Sequence, residues 1–454
     1  MAKQLFLSLF LVFGSITVKA QWIELGINSM NANNLINTVC VDPQGNVYAA
    51  GTFMDSNRNY YVSKWDGTTW SELGADSNAL NANAMINSIC SDYLGNIYAA
   101  GYFIDSTGKE YVAKWNGKSW IELGGTGANA LNNDGTIYSI CTDVFGNVYT
   151  TTSSVITVPY SGNIAKWDGN SWTQLGTGAS GLNANEVIYS ICTDDSGNVY
   201  AAGEFTNKTN DTYVAKWNGS SWTELGTTNI LHSGSSILSI CIDKNRNVYA
   251  AGNFFDSTSK CFVAKWNGTI WSELGAGSTA LYANSSILSI CTDSSGNVYA
   301  AGAFTDSNGS TEVEKWDGAS WSEVGGANAL NTPWQIRSIC IDNQGGIYAA
   351  GEFFTDSPFT YYVAKYQQNS VTGVAPIANS AVSVYPNPTN GSITIASPQS
   401  GQAVVYNSLG EVITTQNLQV GNSTVSLDKV STGIYTIVLP GTSNSYTTLK
   451  VIKN

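Results

Sequence analysis

The chain has 454 residues, a formal charge of −13, 43% hydrophobic residues, only 12% charged residues and 45 glycines. This composition agrees with a large globular all-β protein. No basic stripe is available to neutralise phosphates, which argues against nucleic acid and anionic membranes as partners.

At the start, Lys3 precedes LFLSLFLVFGSITV, an apolar run too short and wrongly flanked for a membrane span. Ala20, with Val18 two residues before it, fits a signal peptidase site. Residues 1–20 are expected to be a signal peptide, with Gln21 as the mature N-terminus. No later run has the length of a membrane-crossing helix, so the mature chain is expected to be exported and either soluble or tethered by other means.

Residues 22–26, WIELG, read as a strand with nothing of its own kind before it. From there to Tyr366 one unit is copied seven times, each copy marked by Cys40, Cys90, Cys141, Cys192, Cys241, Cys291 or Cys340. An acid follows two residues later (Asp42, Asp92, Asp143, Asp194, Asp243, Asp293, Asp342). Then come Gly-Asn, a Tyr and usually Ala-Ala-Gly, which together read as strand, tight turn, strand. YVAKW, an Asp-Gly or Asn-Gly turn and a second Trp in WxEL form another hairpin. Each copy therefore predicts four short antiparallel strands, a to d, and seven such sheets stack radially into a propeller. The last copy lacks its strand d: Gln367-Gln368-Asn369 stands where the turn and Trp belong. The N-terminal strand is expected to fill that place and close the ring, removing exposed sheet edges. The repeat resembles bacterial seven-bladed propeller repeats with a DxxGNxYxxG signature and, more loosely, the kelch period, over residues 22–366. Such a resemblance implies the fold and not an activity.

Copy three departs most, with Thr150, Thr151 and Thr152 for Ala-Ala-Gly and Pro159 in its b to c connection. The seven repeat cysteines are related by rotation and point the same way around the ring. They read as buried small hydrophobes, not disulfide partners. Cys261 lies outside that pattern.

Residues 367–380 read as a linker and 381–454 as a small β-sandwich. There YPNPTNG, NSLGEVI, STGIYTIVL and the terminal Lys450-Val451-Ile452-Lys453 resemble the type A C-terminal sorting domain of the type IX secretion system of Bacteroidota. The resemblance implies a partner in the outer-membrane secretion machinery, removal of this domain, and release or attachment to surface lipopolysaccharide.

Little in the sequence points to chemistry. His232 is the single histidine, there is no phosphate-binding loop, and no cofactor or metal site is implied. The acids after each Cys sit where a turn needs them and too far apart for a calcium loop. By strand parity, connections b to c and d to a share one face, and these long loops are the expected place for a partner. Each d to a loop carries an apolar residue followed by Asn31, Asn81, Asn132, Asn183, His232, Tyr282 or Asn331; Trp334 is an extra Trp in the last. The b to c loops add Asp55, Asp105, Asp256, Asp306 and Asp356. One reading is that the apolar residue fills the blade rim and the polar one caps a turn. The other is a ring of hydrogen-bonding groups for a polar, uncharged ligand such as a glycan. The framework Trp residues are assigned to blade packing. Three functions stay open: a non-catalytic surface or secreted binder of a glycan or protein, a polysaccharide-acting enzyme using one diversified blade, and a structural surface protein.

Overall fold

The computed structural model describes the chain from residue 21 on, except residues 27–29, 31, 75, 132, 155–160, 227–230, 232–234, 276, 331, 357–358, 368–382, 398–399, 408–411 and 441–445. The expected signal peptide and four candidate residues, Asn31, Asn132, His232 and Asn331, lie outside the described residues. The chain divides into two compact units at Ser370/Val371.

The first unit contains seven four-stranded antiparallel sheets. In blade 1 the strands are Ile36–Val41, Val47–Gly51, Ser63–Trp65 and Trp70–Glu72. Blades 2 to 6 repeat this order. Blade 7 takes Ile336–Ile341, Ile347–Gly351 and Ala364–Gln367 from the end of the ring, and Gln21–Glu24 supplies its strand d. Trp22 pairs with Tyr366 and Ile23 with Lys365, so the expected closure is present.

Strand b is buried along its whole length, and its Ala-Ala pair lets neighbouring sheets approach. A Cβ on Gly51 at its end would come within 2.2 Å of the Leu35 carbonyl, which explains the glycine there. Blade 3 has Thr152 at this position and a shorter strand a, Ile140–Thr142. Its strands b and c instead run on as Val148–Ser154 and Ser161–Trp167.

Two circles of hydrogen bonds join the blades. The indole Nε1 of each strand d Trp donates to the carbonyl that follows strand d of the preceding blade: Trp70 to Leu25, Trp120 to Leu73, Trp172 to Leu123, Trp222 to Leu175, Trp271 to Leu225 and Trp321 to Leu274. Trp22 to Val324, at 2.9 Å, completes the circle. Nearer the axis, a hydroxyl in each strand a accepts a backbone N–H from the next, from Thr38 with Ile89 around to Ser338 with Val39.

The repeated acids act in turns. Asp92 Oδ1 accepts the N–H groups of Leu94 and Asn96, while Oδ2 accepts Asn96 Nδ2 and the Tyr98 hydroxyl. Lys114 Nζ lies over the same tyrosine ring, 5.4 Å from its centroid. Each repeat Cys packs against the core of the following blade but is only partly buried, which corrects the expectation of buried thiols; Cys261 is buried, and all eight cysteines are free.

The second unit is a sandwich of a three-stranded and a four-stranded sheet, with Ile393, Val405, Val425, Ile437 and Val451 in one core. Its motifs are physically linked. Asn387 of YPNPTNG donates to the Lys450 carbonyl and accepts the Ile452 N–H, tying that loop to the last strand.

Candidate functional site

The long-loop face is built by clamping loop to blade. After the apolar residue, which is buried in Met30, Leu80, Leu182, Leu231, Leu281 and Leu330, the chain bridges to the preceding blade, as Ala82 does to Tyr60. A further asparagine, Asn83, Asn185 or Asn284, then binds the chain beyond the Ala-Ala-Gly of its own blade, at Ile104, Thr206 or Thr305. Asn83, for example, donates to the Ile104 carbonyl and accepts the Ile104 N–H, both at 3.0 Å. These asparagines were not singled out from the sequence, although their spacing recurs.

Of the described candidates, Asn81 and Asn183 both have left-handed backbone, with φ 50° and 48°. Asn81 accepts Asn59 Nδ2, and Asn183 Nδ2 donates to the carbonyls of Gly178 and Gly181. Both amides thus serve their own face of the ring, as the turn-capping reading expects. Tyr282 is different: its hydroxyl donates to the Gly277 carbonyl while the residue stays 62% exposed. The b to c carboxylates are engaged too, Asp55 Oδ1 accepting the N–H groups of Asn57 and Asn59. Trp334 is 48% exposed and lies 6.1 Å from Phe354, which in turn is 5.7 Å from Phe359. Phe354–Asp356 and Phe359–Tyr361 form an additional two-stranded hairpin here.

A second feature comes from the blades themselves. Between the d to a loop and strands c and d lie clefts of about 710 Å³ in blade 4, 490 Å³ in blade 3 and 410 Å³ in blade 6. Each is lined by the strand d Trp: Trp222, Trp172 and Trp321. These side chains are half-buried, with the indole N–H committed to the neighbouring blade and the ring left to the cleft. The framework Trp residues pack against the blade cores as expected, and these three also line the clefts.

The frame is constant and the floor varies. At one position of strand c the blades carry Tyr61, Tyr111, Asn163, Tyr213, Phe262, Glu312 and Tyr362; two residues on, blade 6 alone has an acid, Glu314, where the others have Ser or Ala. Glu314 stands opposite Glu323 of strand d, as Ala215 stands opposite Glu224 and Ala165 opposite Gln174. In blade 4, Asn207 Nδ2 donates to Glu224 at 3.0 Å, and burial together with that carboxylate pushes the Tyr213 hydroxyl up to about 12. In blade 6, burial and the crowding of Glu314 and Glu323 raise Glu312 to about 8. Burial and Glu323 raise Glu314 to about 7. One enclosed oxygen of Glu314 has no hydrogen-bond partner.

The opposite face carries an apolar patch the sequence reading passed over. Tyr93, Leu94, Val144 and Phe145, in the a to b turns of blades 2 and 3, are each more than half exposed. Among the described residues no group of His, Cys, Asp and Glu is arranged to hold a metal ion.

Seven closed blades of this kind define a β-propeller. Residues 383–454 match the secretion system C-terminal sorting domain family. The protein is thus a propeller carrying a type IX secretion sorting domain, and it is exported to the cell surface or secreted. Among solved structures, the extracellular domain of the putative hybrid two component system BT4673 from B. thetaiotaomicron aligns with TM-score 0.50 and 14% identity, over 97% of this chain and 60% of that one. PorZ, a surface component of the type IX secretion system of Porphyromonas gingivalis, aligns with TM-score 0.46 and 16% identity, over 90% and 58%. The WD40 β-propeller domain of Doa1 aligns with TM-score 0.49 and 12% identity, over 76% and 97%. The chain spans about three-fifths of the length of the BT4673 domain and of PorZ. No curated protein matches the sequence.

Proposed function

We propose that this protein is a non-catalytic binder of glycans, displayed on or released from the cell surface after a signal peptide over residues 1–20 and the sorting domain have directed its export. The ring, residues 21–366, is the working part, and residues 367–380 are its linker to the sorting domain. The observation that carries the reading is the exposed Trp334, set against Phe354 and Phe359 on a face that also carries amides, hydroxyls and carboxylates. A flat ring offers apolar area for the face of a sugar at little entropic cost, and the surrounding amides can bond its hydroxyls. Repetition of blades suits several weak contacts acting together.

A protein partner is the second reading, favoured by the exposed Tyr93, Leu94, Val144 and Phe145 on the other face. Glycan-array binding of the mature chain tests the first. Saturable binding that falls at least about tenfold in Trp334→Ala and survives in Trp334→Phe supports it. An array without saturable binding, or one indifferent to Trp334→Ala, refutes it.

A further inference from the structure

The clefts of blades 3, 4 and 6 lie at the same place in their blades and share the strand d Trp, while the side chains around that ring differ from one to the next. In each of these clefts the partly exposed ring stands beside polar side chains that can bond a ligand. Where the strand d Trp is instead buried, as in Trp70 and Trp271, the ring has no such face to offer. We propose that the clefts of blades 3 and 4 are additional sites for a neutral saccharide unit, stacked on Trp172 or Trp222, and that the floor pair decides what each cleft accepts. This rests on the reading of the protein as a glycan binder and extends it to sites distinct from Trp334.

The chemistry at each floor differs in kind. In blade 3 Asn163 and Gln174 present amide donors and acceptors without charge, able to bond a hydroxyl or an acetamido group in either sense. In blade 4 the Tyr213 phenol, Glu224 and Lys208 line the cleft. The carboxylate accepts from a sugar hydroxyl, and the ammonium and phenol donate to one. Blade 6 keeps the ring of Trp321 and adds the exposed Tyr282, but its floor is taken by Glu312 and Glu314. Glu314, where blade 4 has Ala, puts a long side chain with a desolvated carboxyl beside Glu312 in the cleft, so this copy rejects the ligand of its sisters.

Thr173 and Thr223 are exposed on strand d and line the clefts of blades 3 and 4. Arg at either position fills its cleft from outside without touching the core. The probes are cellobiose, maltose, lactose and N,N′-diacetylchitobiose, titrated calorimetrically into the mature full-length chain, with thermal melts to establish that each variant is folded. For a disaccharide that binds, the Arg variant of the cleft that accepts it, Thr173→Arg or Thr223→Arg, should remove one bound equivalent. Glu312→Tyr with Glu314→Ala, which installs the blade 4 residues, should add one. Trp334→Ala should leave these equivalents in place.

Absence of saturable binding by all four disaccharides would overturn the proposal, as would unchanged stoichiometry in both Arg variants. Binding that vanishes in Trp334→Ala but persists in both Arg variants defeats this inference and leaves the glycan reading standing. Binding that vanishes only in the Arg variants supports the clefts and removes the Trp334 site.

Discussion

The circle of indole hydrogen bonds gives a quantitative test of closure. Trp22 and Trp120 hold the same place in two blades, and both are half-buried. Each donates to one carbonyl, at 2.9 and 2.7 Å. Replacing either by Phe keeps most of the ring area, removes the donor and leaves a carbonyl unpartnered, which costs about 1–2 kcal/mol. Ala in place of Trp22 also loses its packing against Tyr362 and Tyr366. Trp to Ala in a core costs about 3–5 kcal/mol, and the half-buried position sets this change at about 3. At a few degrees or less per kcal/mol for a protein of this size, Trp22→Ala should lower the melting temperature by about 3–6 °C, and Trp22→Phe by about as much as Trp120→Phe. The assay is a paired thermal melt. If Trp120→Phe destabilises and Trp22→Phe does not, the N-terminal strand is an ornament and the closed circle is wrong. Removing residues 21–26 altogether should destabilise the ring further and leave Ala364–Gln367 as an open edge prone to association.

Other consequences are as direct. Glu312 and Glu314 hold protons in the folded ring that the unfolded chain gives up near the ordinary carboxylate range, so their contribution is fully present below about pH 4.5 and is lost as the pH rises through about 7 to 8. Melting temperature should therefore decline between pH 5 and pH 8, and Glu312→Tyr with Glu314→Ala should flatten that slope; equal slopes would contradict the crowding of the carboxylates. Burial pushes the Cys261 thiol up to about 11 and raises the seven repeat thiols as well. A thiol reagent at pH 8 should thus label the native ring slowly and all eight cysteines after denaturation; rapid native labelling would place the thiols in open solvent. Deletion from Ser380 onward should trap folded protein in the periplasm, and its normal appearance outside the cell would defeat the role given to the sorting domain.

Much of the ring could be read from the chain because each blade states its strands in the same words. Cys40 to Cys340 set the count, Asp-Gly and Asn-Gly turns set the hairpins, and the missing strand after Tyr366 pointed to Trp22. The candidate site was less legible. Asn81 and Asn183 look like ligand-binding amides in sequence, but local geometry uses their side chains, because left-handed backbone beside a short turn leaves carbonyls that need donors. Trp222 looks like pure packing because its N–H is committed; only the depth of the loop beside it decides whether its ring is covered. Glu312 and Glu314 were visible as letters, and aligning the copies column by column shows two acids where the sister blades carry none. What such a column does not reveal is that both positions line one cavity.

The clasp also constrains the order of events. Trp22 donates to a carbonyl 302 residues further along, so Gln21–Glu24 has no partner in the ring until nearly all of the ring has been made. The sorting domain is made only after the seventh sheet can be finished. A chain cut short within the ring would therefore lack both its seventh blade and the sorting domain.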